Sequence, residues 1–498
     1  MEIEKLQRVH FVGIGGIGTS GVARILLSAG KEVSGSDVEE GTLLKELQAL
    51  GVRTFVGHRP ENLPEGAEAV VASSAVPDDN PEILAARSRK IPVITYSEAL
   101  GSLMERRFGI AVAGTHGKTT TSALIAWILK QAGKEPSFVI GGEIPLLGGN
   151  SGTGKGKYLV AEACEYRRNF LALRPKVAVV TNIEEDHLDY YRDLTEIKSA
   201  FREFLNLLPD GGFALLCREN HNLMELAGRL DKTFFTYGLK DADYEAQAIK
   251  FERDGSRFTV AFGEEKLGSV FIRMPGQHNV LNSTAAFAVC HMLGLEPKTI
   301  AAGLGSFTGV RRRLELKGKY RGSVVVLDDY GHHPSEIAAT LAAVRQLYPK
   351  GRIFAVFQPH QYSRTRFFLR DFARSFTLAD EIIVPEIFFV RDSEESRRSV
   401  SSKDLVKELA SLGKSLLFER ERRSGRYCSD YRRRSGLPGR RQSSTRLIKP
   451  RSCFFRDLVV KYIRSQNEKR EEVGFYFTGT ACWNSCSGDT RRDWFHPD

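Results

Sequence analysis

The stretch Gly114-Thr115-His116-Gly117-Lys118-Thr119-Thr120-Thr121 joins an apolar run to a helical one, and it restricts the possible folds more than any other part of the chain. Phe108 to Ala113 reads as a short buried strand, and Ala123, Leu124, Trp127, Ile128 and Leu129 recur at helical spacing until Gly133 breaks the pattern. A strand, a glycine-bearing loop and a helix in that order turn backbone N–H groups and the positive end of a helix toward an anion. Lys118 adds a point charge for the β and γ phosphates of a nucleoside triphosphate, and Thr119 a hydroxyl for Mg2+. The usual phosphate-loop spacing has glycine at 112, where this chain has Val112, so a glycine turn beside a solvated lysine stays the alternative at this point.

A chain of 498 residues with 42% hydrophobic content predicts about three domains, each with its own core. No run approaches the ~20 apolar residues of a membrane span, and the opening Met1-Glu2-Ile3-Glu4-Lys5 lacks the basic-then-apolar order of a secretion signal. A cytoplasmic address without a membrane span is therefore expected. Seven cysteines show neither paired metal-type spacing nor a disulfide framework. The net charge of +11 sits mostly in one place: from Glu419 onward 19 Lys and Arg face 10 Asp and Glu, so the body before it is nearly neutral. A nucleic-acid partner is accordingly not expected of that body.

The order of patterns is that of an α/β protein. Val9 to Val12 reads as a strand, Gly13-Ile14-Gly15-Gly16-Ile17-Gly18 as a turn, the next stretch through Leu27 as a helix closed by Gly30, and Glu32 to Gly35 as a second strand ending at Ser36-Asp37. An NAD-type fold shares this arrangement, so it identifies a βαβ unit rather than its ligand. Strands at Ala69 to Ala72 and Ile91 to Thr95 complete a unit expected over residues 1–106. A second unit, 107–312, alternates strands such as Tyr158 to Ala161 and Lys176 to Val180 with helices such as Thr195 to Leu208, which predicts a mostly parallel sheet. A third, 313–498, has strands at Ser323 to Leu327, Arg352 to Phe357 and Glu381 to Pro385, each followed by a polar loop.

Strand ends in such sheets are where ligands bind. Glu162 ends one strand, and Thr181-Asn182-Ile183-Glu184-Glu185-Asp186-His187-Leu188-Asp189 follows another, so carboxylates and an imidazole lie near the triphosphate loop. Asp186 or Asp189 alone would serve as a helix cap and His187 as a structural residue; beside phosphates these groups gain a metal-binding reading. Pro275-Gly276-Gln277-His278-Asn279-Val280-Leu281-Asn282 begins a helix with amides suited either to a purine or to capping. Arg311-Arg312-Arg313, Asp328 to Pro334 and Gln358 to Arg366 add polar groups at the third unit.

This ordered set resembles the Mur ligases of peptidoglycan synthesis over about residues 6 to 418. The pattern is most similar to the members that join L-alanine to UDP-N-acetylmuramate. The resemblance implies three domains: an N-terminal Rossmann-like domain for the UDP-sugar, a central P-loop ATPase-type domain, and a C-terminal Rossmann-like domain that closes over the site. It implies that Gly13, Gly15, Gly16, Gly18, Asp37, His58, Ser73 and Ser74 hold the UDP-sugar. ATP would be held by Gly114, Thr115, His116, Gly117, Lys118, Thr119, Thr120, Asn279, Asn282, Arg313 and Asp329, and Mg2+ by Thr119, Glu162 and His187. Lys118, His187, Glu162, His332 and Arg364 would serve the reaction, the last two facing the substrate carboxylate and the incoming alanine.

Three departures from the family pattern stand out. Gln361 occupies a position where many relatives have arginine, Thr19 replaces a methionine after the first glycine turn, and Arg167-Arg168 follow Glu165-Tyr166 where relatives often have an acid. The tail from 419 also lacks the glycine-rich turn with which relatives close the third domain, and holds four of the seven cysteines and two of the three tryptophans. A shifted reading frame, a basic appendage for nucleic acid and an unusual but genuine domain ending are its three readings; the first predicts that the last strands of the third domain are missing.

Overall fold

The computed structural model describes residues 1–320, 324–389, 392–418 and 472–478, the strands at 415–418 and 472–478 by their backbone. The chain divides into two compact units, Met1–Arg311 and Arg312–Asp498. The arginine-rich run, the cysteines and the tryptophans of the tail lie outside the described residues.

The first unit holds two sheets. One comprises β1 (Arg8–Val12), β2 (Glu32–Asp37), β3 (Arg53–Val56), β4 (Ala69–Ala72) and β5 (Val93–Thr95), with helices α1 (Ile17–Ser28), α2 (Thr42–Ala49), α3 (Pro81–Ser88) and α4 (Tyr96–Glu105). Its order is β3-β2-β1-β4-β5, all parallel, with β1 at the centre. The central β1 and β4 are buried almost throughout, as strands covered by helices on both faces are, while the flanking β3 and β5 are half-buried or exposed. The β5 strand starts at Val93 rather than Ile91, and its last residue, Thr95, caps α4 in a reciprocal capping box with Glu98.

The second sheet has ten strands: β6 (Phe108–Ala113), β7 (Ser137–Ile144), β8 (Gly149–Gly152), β9 (Tyr158–Glu162), β10 (Val177–Val180), β11 (Phe213–Cys217), β12 (Phe234–Gly238), β13 (Tyr244–Glu252), β14 (Gly255–Phe262) and β15 (Glu265–Ile272). Helices α5 (Lys118–Gln131), α6 (Leu194–Asn206), α7 (His221–Ala227), α8 (Gln277–Met292) and α9 (Pro297–Ser306) belong to it. The order β15-β14-β13-β12-β11-β10-β6-β9-β7-β8 is parallel from β7 to β13, while β8, β14 and β15 run antiparallel to their neighbours. A mostly parallel sheet is thus present, extended by an antiparallel β13–β15 meander whose strands alternate buried and exposed residues. One continuous core joins the two sheets, from Phe11, Val22 and Leu26 to Ile110, Leu124, Ile128 and Val179. Burying each such side chain is worth about 1.5–3 kcal/mol. The α1 helix bridges the sheets directly, for Asn150 Nδ2 donates to Ile17 O at 3.0 Å.

The second unit contains β16 (Glu315–Tyr320), β17 (Val324–Asp329), β18 (Arg352–Gln358), β19 (Glu381–Val384), β20 (Ser415–Phe418) and β21 (Glu472–Thr478). Helices α10 (Pro334–Leu347), α11 (Tyr362–Phe367), α12 (Leu369–Ser375), α13 (Glu394–Ser399) and α14 (Ser402–Ser411) accompany them. Sheet order is β16-β17-β21-β18-β19-β20, parallel except for β16. The tail therefore supplies a strand after all: β21 pairs Val325 with Val473 on one side and Ile353 with Val473 on the other. Its apolar core gathers Val325, Leu327, Ile337, Leu341, Ala355, Phe357, Phe372 and Leu405.

Candidate active site

The loop 114–117 leaves the carboxyl end of β6, which lies between β9 and β10. Gly117 has φ of 83°, and a Cβ there would stand 2.6 Å from Asn282 Oδ1, so glycine alone combines the backbone and the space. The segment after β10 fastens the loop. Asn182 Oδ1 accepts from His116 N at 2.8 Å, Asn182 Nδ2 donates to His116 O at 3.1 Å, and Thr115 Oγ1 accepts from Glu184 N at 2.9 Å. Thr120 is buried on α5, as are Asn279 and Asn282 on α8. Asn282 Oδ1 accepts from Thr121 Oγ1 at 3.3 Å, and Asn279 Nδ2 donates to Pro275 O at 2.8 Å.

Lys118 folds back over this loop. Its Nζ donates to the carbonyls of Gly114 and Thr115 and to Glu165 Oε1, the last at 3.0 Å. Burial works against the ammonium charge, yet the Glu165 carboxylate, followed by Cys164 and Glu162, holds the Lys118 pKa above its ordinary value. Cys164 itself is pushed up to about 12 by burial and by Glu165, so it stays a thiol. Thr119 Oγ1 donates to Glu162 Oε2 at 2.9 Å, and the same oxygen accepts from Gly141 N at 2.7 Å. A hydroxyl beside a carboxylate is a hard-oxygen pair of the kind Mg2+ takes. His187, with φ of 54°, places Nε2 at 3.7 Å from Glu165 Oε1 and 3.9 Å from Asp186 Oδ2, and its ring 4.8 Å from that of Tyr166. The structure thus brings Thr119 to Glu162, and His187 to Glu165.

At the first sheet, Gly13 to Gly16 form the turn from β1 into α1, and Gly18 lies in the first turn of that helix. Gly15 N donates to Asp37 Oδ2 at 2.8 Å, while Asp37 Oδ1 accepts from Val38 N at 2.8 Å. A Cβ on Gly15 would lie 2.9 Å from that carboxylate, so a side chain there would push Asp37 aside. Thr19 Oγ1 donates to Gly13 O at 2.7 Å, and Ser73 follows β4 against Gly13. Below the turn lies Glu82, fully buried. Its Oε2 accepts from His10 Nε2 at 2.9 Å and Ser36 Oγ at 2.6 Å, its Oε1 from Asn62 Nδ2 at 2.7 Å and Arg59 N at 3.1 Å. Burial alone would raise its pKa, but the bonds from His10, Ser36 and Asn62 outweigh it and lower the value to about 2. His58 Nδ1 meets Ser36 Oγ at 2.9 Å, at the edge of this network.

In the second unit the polar loops follow β17 and β18. Asp329 accepts from Leu314 N at 2.7 Å and Gly331 N at 2.8 Å, and burial pushes its pKa up to about 6 against the pull of Arg313. Arg313 Nη1 is 3.5 Å from Glu336 Oε1, and its guanidinium stands over the Tyr330 ring. His332 N donates to Glu336 Oε2 at 3.0 Å, and its Nδ1 is 3.2 Å from Tyr330 O. Arg364 lies on α11, whose first amides, Tyr362 N and Ser363 N, donate to the Asp392 carboxylate. Gln361 is buried with φ of 72°.

Glu82, Glu165 and Asp392 carry none of the roles assigned from sequence. Glu165 was visible only as a second acid three residues beyond Glu162; Glu82 and Asp392 act on partners far away in sequence, which spacing does not reveal. Among the described residues no helix is long and apolar enough to cross a membrane, and Cys164, Cys217 and Cys290 are free thiols.

Three family models match successive parts of the chain: Mur ligase family, catalytic domain, over 8–108; Mur ligase middle domain over 112–290; and Mur ligase, glutamate ligase domain, over 312–432. The chain is 42% identical to a UDP-N-acetylmuramate–L-alanine ligase of Caldanaerobacter subterraneus over 84% of this chain and 90% of that protein. It is 48% identical to one from Syntrophotalea carbinolica over 77% and 83%. The crystal structure of UDP-N-acetylmuramate-alanine ligase MurC from Thermotoga maritima superposes with a TM-score of 0.73 at 28% identity, covering 96% of this chain and 97% of that one. A murein peptide ligase from Psychrobacter arcticus shares the fold, with a TM-score of 0.65 at 24% identity over 95% and 96% of the chains.

Proposed function

The chain belongs to the Mur ligase family, and from that premise we propose that it joins L-alanine to the lactyl carboxylate of UDP-N-acetylmuramate in peptidoglycan synthesis, driven by ATP. The observation that carries this reading is the cluster of Lys118, Thr119 and Glu162 at the carboxyl ends of β6 and β9. Such a cluster supports phosphoryl transfer, in which positioning and charge stabilisation do most of the work.

In the reaction a lactyl carboxylate oxygen attacks the γ phosphorus, the bond to the β–γ bridging oxygen breaks, and ADP leaves. The resulting acyl phosphate is a good electrophile where the carboxylate was a poor one. The amine of L-alanine adds to its carbonyl carbon, gives up a proton, and the tetrahedral intermediate expels phosphate to leave the amide. Gly114, Thr115, His116, Gly117, Thr119 and Thr120 cradle the phosphates, and Lys118 exchanges Glu165 and the loop carbonyls for phosphate oxygens, offsetting charge in the transition state. Asn279 and Asn282 take the adenine side. Mg2+, when bound, would neutralise phosphate charge; Thr119 and Glu162 have the oxygens to hold it, and His187 stands beside Glu165 as a further donor. The turn with Gly13, Gly15, Gly16 and Gly18 receives the UDP diphosphate with Asp37, His58, Ser73 and Ser74. Arg313 and Asp329 serve ATP, and His332 and Arg364 the carboxylate and alanine. The domains run over 1–106, 107–312 and 313–498, and the reaction takes place in the cytoplasm, where its nucleotide substrates are found.

Phosphate release from ATP with UDP-N-acetylmuramate, measured while the amino acid is varied, tests the assignment. L-alanine-dependent release with formation of the amide is expected; release independent of amino acid, or dependent on a different class of acceptor, would refute it.

A further inference from the structure

Two adjacent arginines follow Glu165 and Tyr166, both in the left-handed backbone region, with φ/ψ of 51°/28° at Arg167 and 57°/25° at Arg168. This conformation is uncommon for residues with a side chain. It sends the two guanidiniums to different places. Arg168 is neutralised: its Nη1 reaches both oxygens of Glu203 at 2.9 and 3.0 Å, and Nη2 is 3.6 Å from Glu196. Arg167 is exposed and makes no ion pair among the described residues. It donates from Nη1 to Ser74 O at 3.0 Å and lies 5.5 Å from the centre of the Tyr166 ring.

These contacts place the uncompensated cation between two sites. On one side, Ser74 follows Ser73, whose N donates to Val12 O at 2.9 Å and whose Cβ faces Gly13 of the first glycine turn. On the other, the Tyr166 ring lies 4.8 Å from that of His187, tilted by 42°, and Glu165 holds Lys118 at 3.0 Å. A substrate with a diphosphate at one end and a carboxylate to be phosphorylated at the other has to run between that turn and that lysine. A guanidinium has five N–H donors, and the carbonyl of Ser74 engages one while fixing the plane of the rest.

We propose that Arg167 is a substrate-binding residue that contacts an anionic oxygen of the UDP-sugar, anchored for that purpose by the Ser74 carbonyl and the Tyr166 ring. The proposal rests on the reading that this chain takes UDP-N-acetylmuramate. Two anionic groups offer the same chemistry, the diphosphate and the lactyl carboxylate.

Calorimetric titration of the full chain with UDP-N-acetylmuramate, UDP and ATP separates the possibilities, using wild type, Arg167→Ala and Arg167→Lys, with melting temperatures measured alongside. Arg167→Ala is expected to weaken UDP-N-acetylmuramate by about ten- to a hundredfold, the worth of a charged hydrogen bond. Arg167→Lys recovers part of this, and ATP affinity and melting temperature stay near wild type. A parallel loss for UDP assigns the contact to the diphosphate; a loss confined to UDP-N-acetylmuramate assigns it to the carboxylate. Wild type that binds UDP-N-acetylmuramate, with Arg167→Ala binding it within twofold, overturns the proposal while leaving the functional reading intact. A lowered melting temperature with equal loss of all three ligands overturns it in favour of a structural clamp. Failure of the wild type itself to bind UDP-N-acetylmuramate sinks the functional reading first.

Discussion

Replacing Glu82 by Gln tests whether the network beneath the first glycine turn is held by an ionised carboxylate. Four donors converge on Glu82: His10 Nε2, Ser36 Oγ, Asn62 Nδ2 and Arg59 N. Glutamine keeps the shape but turns one acceptor into a donor, which faces donors already in place. The folded pKa is about 2 against an ordinary 4.5. Because the folded value is lowered, the folded state binds fewer protons than the unfolded state between these limits. The stabilisation is therefore complete above pH 4.5 and lost as the pH falls toward 2. At 1.36 kcal/mol per unit it amounts to about 3 kcal/mol at neutral pH and about 1.5 kcal/mol at pH 3. With more than one folding unit, a single global unfolding energy is not defined, so a local probe is needed. Hydrogen exchange of the β1, β2 and β4 amides supplies it: at pH 7 these should exchange roughly a hundredfold faster in Glu82→Gln, and the gap should narrow at pH 3. Exchange within a few-fold of wild type at pH 7, or an equal gap at both pH values, would show that Glu82 is not a buried anion on which the sheet depends.

Other substitutions probe the phosphate loop. Lys118→Ala should leave circular dichroism unchanged and lower kcat/KM for ligation by at least about 10²–10³, the usual cost of removing a group that stabilises transition-state charge; undiminished amide formation by the folded variant would remove Lys118 from the mechanism. Gly117→Ala sets a methyl 2.6 Å from Asn282 Oδ1 at a φ of 83°; ATP binding by calorimetry should weaken at least tenfold, and wild-type affinity would mean that the loop has another conformation. Glu165→Gln leaves the partly buried Lys118 ammonium without its counterion, a loss of at most about 3–5 kcal/mol, the cost of breaking a fully buried pair. The drop in melting temperature should shrink when an ATP analogue supplies replacement charge, and an equal drop with and without nucleotide would argue against an exchange of partners.

Much of the scaffold is legible in the sequence because local signals suffice for it. Phe108 to Ala113 and Ala69 to Ala72 are strands at those bounds, being short apolar runs between polar loops. The glycine turn before α1 and its distant Asp37 also follow a local grammar, and the Gly15–Asp37 hydrogen bond closes it. What the sequence does not reveal depends on groups brought together by the fold. Glu82 lies 72 residues from His10 and 20 from Asn62, and in sequence it looks like an ordinary acid in the first turn of a helix. Glu165 stands in plain view near Glu162, but its pairing with Lys118 arises only because β9 lies next to β6. The tail's composition departs from the body, yet seven residues of it form a strand between β17 and β18.

The position of that strand sets an order of events for the newly made chain. β21 lies between β17 and β18, while β18, β19 and β20 all precede it in sequence. As the ribosome extends the polypeptide, those earlier strands emerge with the middle of their sheet missing, and β17 and β18 each expose a row of unpaired backbone groups until residues 472–478 arrive. Bringing together strands so far apart in sequence is slow, because the chain loses entropy before the contacts form. Unpaired edges of this kind also attract other strands. For this half of the protein, cellular yield would depend on how long nascent copies wait for residues 472–478, and chaperones that shield open sheet edges would matter more to it than to the first 311 residues.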